Sequence, residues 1–121
     1  FKWKEALYLP SLKCYHSPSL QEIEAIKETC LKLDQFRKLL GKPINITCWI
    51  RPSSVNDESG KNTGFDYNKH VKGAKSSSHI TGHAIDFQVV GLTVDQAMTF
   101  IVPELSKIKM AAENNGSKVR S

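Results

Sequence analysis

The segment Ser77-Ser78-His79-Ile80-Thr81-Gly82-His83-Ala84-Ile85-Asp86-Phe87 concentrates side chains that can hold a metal or move a proton. Within it, His79 and Asp86 stand seven residues apart. A helix would put them on one face, but Ile80, Thr81, Gly82, Ile85 and Val89 disfavour a helix here. The pattern instead predicts His79 on a turn and Asp86 on the polar side of the strand that follows. Gly82 would let the backbone bend tightly, and small Ala84 would leave room beside the site. An imidazole and a carboxylate converging in this way suit zinc, which takes nitrogen and oxygen ligands at ~2.0–2.2 Å in a tetrahedron. A carboxylate on a strand whose other face is apolar needs a partner, and a metal would serve. A hydrogen-bonded surface pair uses the same two residues, and residue types alone leave both readings open.

Elements on either side must hold this segment in place. Ser19-Leu20-Gln21-Glu22 is a capping box, and Leu20, Ile23, Ile26, Cys30, Leu33, Phe36 and Leu40 recur at steps of three or four, predicting a helix from Ser19 to Leu40. Gly41 supplies its C-cap, and Pro43 prevents it from resuming. Ile44 to Ile50 alternates apolar with polar residues, which predicts a strand that delivers Arg51 at its end. Residues 52–75 show no periodicity, and a loop of this length is usually functional or mobile. Turns are expected in it at Asn62-Thr63-Gly64 and Val71-Lys72-Gly73. Ala84 to Val90 reads as a second strand, with Ile85, Phe87 and Val89 on one face and Ala84, Asp86 and Gln88 on the other. Thr93-Val94-Asp95-Gln96 caps a second helix that Pro103 ends or kinks, with Leu105, Ile108 and Ala112 continuing beyond it. Asn114-Asn115-Gly116 signals a turn, and residues 117–121 the start of another strand. Residues 1–17 read as a helical turn and a loop over the core. The expected fold class is α+β, a small antiparallel sheet with flanking helices.

Bulk composition narrows the functional classes. The 121 residues suit one domain, expected over 1–121. A net charge of +5 favours acidic partners, but the lysines are dispersed and not interleaved with aromatics, so no nucleic-acid groove is expected. No apolar run approaches the ~20 residues of a membrane span, so no membrane insertion is expected. Phe1 to Glu5 does not begin a secretory signal, and the missing initiator Met suggests a chain cut at either end. Cys14, Cys30 and Cys48 form no metal-type spacing; Cys30 and Cys48 lie on apolar faces and read as small core residues. An odd cysteine count argues against a disulfide framework.

The full pattern Ser77-x-His79-x-x-Gly82-x-Ala84-x-Asp86-Phe87 resembles the signature of the zinc D-Ala-D-Ala carboxypeptidase and L-alanyl-D-glutamate endopeptidase family. That family's fold is shared with the hedgehog signalling domain. Gly41-Lys42-Pro43-Ile44, the strand to Ile50, Arg51 and Asn56 follow the family's order, so the resemblance covers about residues 19–100, with Phe1 to Glu5 fitting its start. It implies that His79 and Asp86 are zinc ligands and that Arg51 stabilises the oxyanion formed at the scissile carbonyl. Ser77 would hydrogen-bond the substrate, with Ser76 and Ser78 leaving its register open. His83 falls at a variable position of the pattern and counts as a neighbour, while His16 and His70 read as surface histidines.

The family's third ligand, a later histidine preceded by an acidic general base, has no counterpart, because no histidine follows His83. Three arrangements remain: a chain lacking its C-terminal strand, a ligand from another chain or from a remote residue such as His70, or a non-catalytic relative that binds wall peptides or a protein partner. The implied function is zinc-dependent hydrolysis of a peptide bond in bacterial peptidoglycan, of the D,D-carboxypeptidase or L-Ala-D-Glu endopeptidase type. The implied partner is the peptidoglycan peptide stem, met by a monomer made in bacterial or phage-host cytoplasm and acting at the wall or periplasm.

Overall fold

The computed structural model describes residues 1–93, 95–97, 99, 111–112 and 118–120, the last two stretches as backbone. Its longest element, a helix over Leu20–Leu40 (α2), begins and ends where the local chemistry dictates. The Ser19 hydroxyl accepts from the Glu22 N–H at 3.2 Å, and the Glu22 carboxylate accepts from the Ser19 N–H at 2.8 Å. Gly41 closes the helix in the left-handed region at φ 63°, its N–H donating to the Arg37 carbonyl. The buried face of α2 is Ala25, Ile26, Thr29, Leu33, Phe36 and Leu40. Leu20, expected on that stripe, is 82% exposed: it opens the first turn, beyond the edge of what the helix packs on.

Before α2, a short helix at Trp3–Leu7 (α1) leads into a two-stranded hairpin, Tyr8–Leu9 (β1) against Cys14–Tyr15 (β2), rather than into a plain loop. After it come the strand Ile44–Cys48 (β3), a helical turn at Tyr67–His70 (α3), a 3₁₀ turn at Ser78–Ile80 and the strand Ala84–Val89 (β4). Two further strands, Ala111–Ala112 (β5) and Lys118–Arg120 (β6), complete a four-stranded antiparallel sheet in the order β3-β4-β6-β5. The fold is therefore α+β with two small antiparallel sheets and several helices. Ala112, expected on a helix continuing past Pro103, lies instead in β5. The expected helical residues Leu105 and Ile108 and the Asn114-Asn115-Gly116 turn fall outside the described residues. The Thr93 cap forms as expected: Thr93 Oγ1 accepts from the Gln96 N–H at 3.1 Å, and residues 95–97 are helical.

The core joins α2 to the apolar face of β3 and β4. Phe36 and Phe87 meet edge to face at 5.2 Å, and Leu33, Ile50 and Ile85 are fully buried. The long loop is not loose. Tyr67 is buried, its N–H donates to the Pro52 carbonyl at 3.1 Å, and its hydroxyl accepts from the Ser11 N–H. Across the loop the Val55 carbonyl accepts from the Thr63 N–H, and the Val55 N–H donates to the Phe65 carbonyl. Nor is His16 a surface residue. It is buried, its Nδ1 accepts from the Asn56 N–H at 3.0 Å, and Nε2–H therefore donates to the Glu22 carboxylate at 3.0 Å. One imidazole thus ties the start of α2 to the long loop.

Between β3 and β4 the register changes once. Ile46 stands opposite Phe87, but the next β4 residue, Asp86, stands opposite Cys48. Thr47 is the extra residue, and such a bulge re-aims the side chains beyond it. This single irregularity shapes the site.

Candidate metal centre

Strict alternation along β3 would set Cys48 in step with Ile44 and Ile46, facing the core opposite Ile85. The bulge at Thr47 turns it to the face that carries Asp86 instead. Across from it, the 3₁₀ turn brings in His79, which is fully buried. One ligating atom from each of Cys48, His79 and Asp86 lies within 4.8 Å of the others.

His79 is held by its backbone and its ring together. Ser77 caps the 3₁₀ turn, its Oγ accepting from the His79 N–H at 3.2 Å, and the His79 carbonyl accepts from the Arg51 N–H at 2.7 Å. The ring Nδ1 lies 2.6 Å from the Trp49 carbonyl. A carbonyl only accepts, so Nδ1 carries a proton and donates, and Nε2 is the ring atom turned to the other side. That Nε2 is buried and has no hydrogen-bond partner among the described residues. It lies 3.4 Å from Asp86 Oδ1, a contact without hydrogen-bond geometry. Two ligands of a tetrahedral zinc at ~2.0–2.1 Å stand about 3.3 Å apart, close to the separation seen here. The lone pair of a neutral ring facing a carboxylate oxygen is repulsive, and a proton or a metal cation between them would relieve it; the Asp86 side chain is 28% exposed, so the site is open to solvent on that side. The residues present therefore fit a divalent metal, and the Trp49 carbonyl would orient the ring of a His79 ligand from behind.

Two motif positions have packing reasons. Gly82 adopts φ 93°, and a Cβ there would stand 2.9 Å from Ile26 Cγ1, so α2 leaves no room for a side chain. Its carbonyl accepts from the Trp49 indole N–H at 2.7 Å, which locks the residue that holds His79. Ala84 is buried as well.

Arg51 and Ser77 come together, Nη2 donating to Oγ at 3.4 Å. The Arg51 Nε is buried and unpartnered among the described residues, a donor still open to an acceptor. His83 points elsewhere, toward Glu28 on α2 at 3.7 Å and Thr81 at 2.8 Å. His70 is exposed and bonded to Ser11 at 2.9 Å, and it does not belong to the described cluster of Cys48, His79 and Asp86. Cys48 is the member of this candidate cluster that sequence reasoning missed. Its alternation with Ile44 and Ile46 signalled core, and no residue type announced the bulge.

Fold and site together define an α+β fold with a candidate metal centre. A model of the Peptidase M15 family matches residues 9–110, and the chain belongs to this family of zinc D-Ala-D-Ala carboxypeptidase-like metallopeptidases. No curated protein and no solved structure matches the chain. Among the described residues no helix is long and apolar enough to cross a membrane.

Proposed function

We propose that the chain hydrolyses a peptide bond in the stem peptide of bacterial peptidoglycan, using zinc held by His79 and Asp86. The observation that carries this reading is the His79 ring, with Nδ1 committed to the Trp49 carbonyl and Nε2 buried, unpartnered and facing Asp86. Zinc, when bound, supplies Lewis acidity that activates water near neutral pH. The chain's own residues do the rest. Asp86 sits on a central strand of the sheet and so presents its carboxylate from a rigid base. Arg51, anchored by its own N–H on His79, offers guanidinium donors to the negative charge that develops on the scissile carbonyl. Ser77 orients the adjoining backbone of the substrate. The packed loop over residues 52–75 shapes the choice between D-Ala-D-Ala and L-Ala-D-Glu bonds. In this reading the domain is a monomer, made in bacterial or host cytoplasm, that works at the wall, where its net charge of +5 favours the anionic polymer.

The test measures zinc per chain and the release of free amino groups from purified walls. One zinc per chain is expected, with His79→Ala and Asp86→Ala losing metal and hydrolysis together. Full activity of the zinc-free protein would sink the reading.

A further inference from the structure

We infer that Asn68 is a positioning residue for the oxyanion side of this site, closing a hydrogen-bond circuit that holds the Arg51 guanidinium beside Ser77. This rests on the reading of Arg51 and Ser77 under the proposed function and deepens it, by naming the side chain of the long loop through which both are set.

Among the described residues the buried polar side chains are His16, Thr29, Asn68 and His79, and of these only Asn68 lies in the long loop. The Asn68 N–H donates to the carbonyl of Pro52, the residue after Arg51, at 3.3 Å, and the Asn68 carbonyl accepts from the Gly73 N–H at 2.7 Å. Its Nδ2 donates to the Ala74 carbonyl at 3.0 Å, and that same carbonyl accepts from the Ser77 N–H at 3.1 Å. Ser77 Oγ in turn accepts from Arg51 Nη2 and from the His79 N–H, while the Arg51 N–H donates to the His79 carbonyl. The circuit runs from Arg51 through Pro52, Asn68, Ala74 and Ser77 back to Arg51, and the Asn68 amide ties α3 to the turn before His79. Two features set this amide apart from ordinary loop packing. A carbonyl only accepts, so the amide nitrogen must face Ala74, and Oδ1 is left buried without a hydrogen-bond partner among the described residues. A buried acceptor left open is rare and costly, and it persists here because turning the amide over would lose the Ala74 contact. Gly73 is the second feature: a Cβ there would overlap Asn68 Oδ1 and stand 2.8 Å from Cγ, so a side chain at this position would push the amide away. The Arg51 Nε is itself buried and unpartnered among the described residues, so the aim of the guanidinium rests on Nη2 and on the backbone that Asn68 fixes. Misplacing such a group by about 1 Å costs on the order of 10²-fold in rate.

The experiment follows hydrogen exchange of the Arg51 Nε–H and the Asn68 side-chain amide by nuclear magnetic resonance, beside hydrolysis of a soluble stem peptide, zinc content and melting temperature. In the wild-type chain both groups should be protected and should exchange through one common opening. Asn68→Ala should speed exchange at Arg51 Nε about tenfold or more and lower kcat on the order of 10²-fold, with KM and zinc content unchanged. Asn68→Asp sets a carboxylate against the Ala74 carbonyl, and protection at Arg51 should return as the pH falls and the carboxyl gains a proton to donate there. An asparagine that only fills space predicts no such return. In an Arg51→Lys background Asn68→Ala should cost little further, because it acts through that guanidinium. Should Asn68→Ala fail to fold, the wild-type exchange and Asn68→Asp decide. An Asn68 amide that exchanges freely while Arg51 stays protected overturns the inference and leaves the peptidase reading standing. So does a variant that loses stability with exchange at Arg51 and kcat unchanged. The expected exchange pattern in a wild-type chain that hydrolyses no stem peptide supports the placing of Arg51 by Asn68 and counts against the peptidase reading.

Discussion

Replacing Gly82 by alanine tests whether the motif glycine is there for packing, and the structure lets the cost be worked out. At φ 93° an L-residue is strained, by about 1–2 kcal/mol. The added Cβ would also meet Ile26 Cγ1 at 2.9 Å and Ala25 Cβ at 4.0 Å, and overpacking a core contact of this kind costs about 1–3 kcal/mol. The sum is about 2–5 kcal/mol against a net stability of ~5–15 kcal/mol, so the variant folds but melts on the order of 10–15 °C lower. Gly60 provides the control. It has φ 82° and nothing within 4 Å of an added Cβ, so Gly60→Ala should lose only the backbone part, about 1–2 kcal/mol. Urea unfolding followed by far-ultraviolet circular dichroism measures both. A double variant with Ile26→Ala should cost about 1–3 kcal/mol less than the sum of its singles, because the clash is gone. If Gly82→Ala loses no more than Gly60→Ala, the close approach of α2 does not explain the glycine and the reasoning fails.

Two further outcomes follow from the site and its supports. Burial raises the Glu22 carboxyl, but its hydrogen bonds with His16 and the Ser19 N–H outweigh this and hold it below its ordinary 4.5. A depressed carboxylate contributes stability that is present above 4.5 and lost as pH falls through the folded value, so unfolding midpoints should drop below about pH 4.5. Glu22→Gln should flatten that acid-side slope, and an unchanged slope would remove Glu22 as its source. Arg51→Lys keeps the charge but loses the planar fork, and wall hydrolysis should fall about 10²–10³-fold with zinc content unchanged. Retained turnover would take the guanidinium out of the chemistry.

Much of this protein can be read from short stretches of its chain. Ser19, Glu22 and Gly41 set the ends of α2 through hydrogen bonds that span three or four residues, so neighbouring side chains suffice to predict them. Period-two alternation located β3 and β4, and the order of His79, Gly82 and Asp86 located the turn and strand that carry two candidate ligands. Where partners come from distant segments, local pattern was silent or misleading. His16 is buried because Asn56, forty residues on, and Glu22 enclose its two ring nitrogens. The long loop is packed because Tyr67 reaches Pro52 and Ser11. The orientation of the His79 ring follows from the carbonyl of Trp49, thirty residues earlier. Cys48 shows the limit most clearly: its sequence neighbours assign it to the core, and only the pairing of β3 with β4, which leaves Thr47 without an opposite number, turns the thiol toward Asp86. The sequence by itself determined the elements and the His79–Asp86 pair. The tertiary structure decided what stands beside them, because a one-residue slip in register moves a side chain from one face of a sheet to the other.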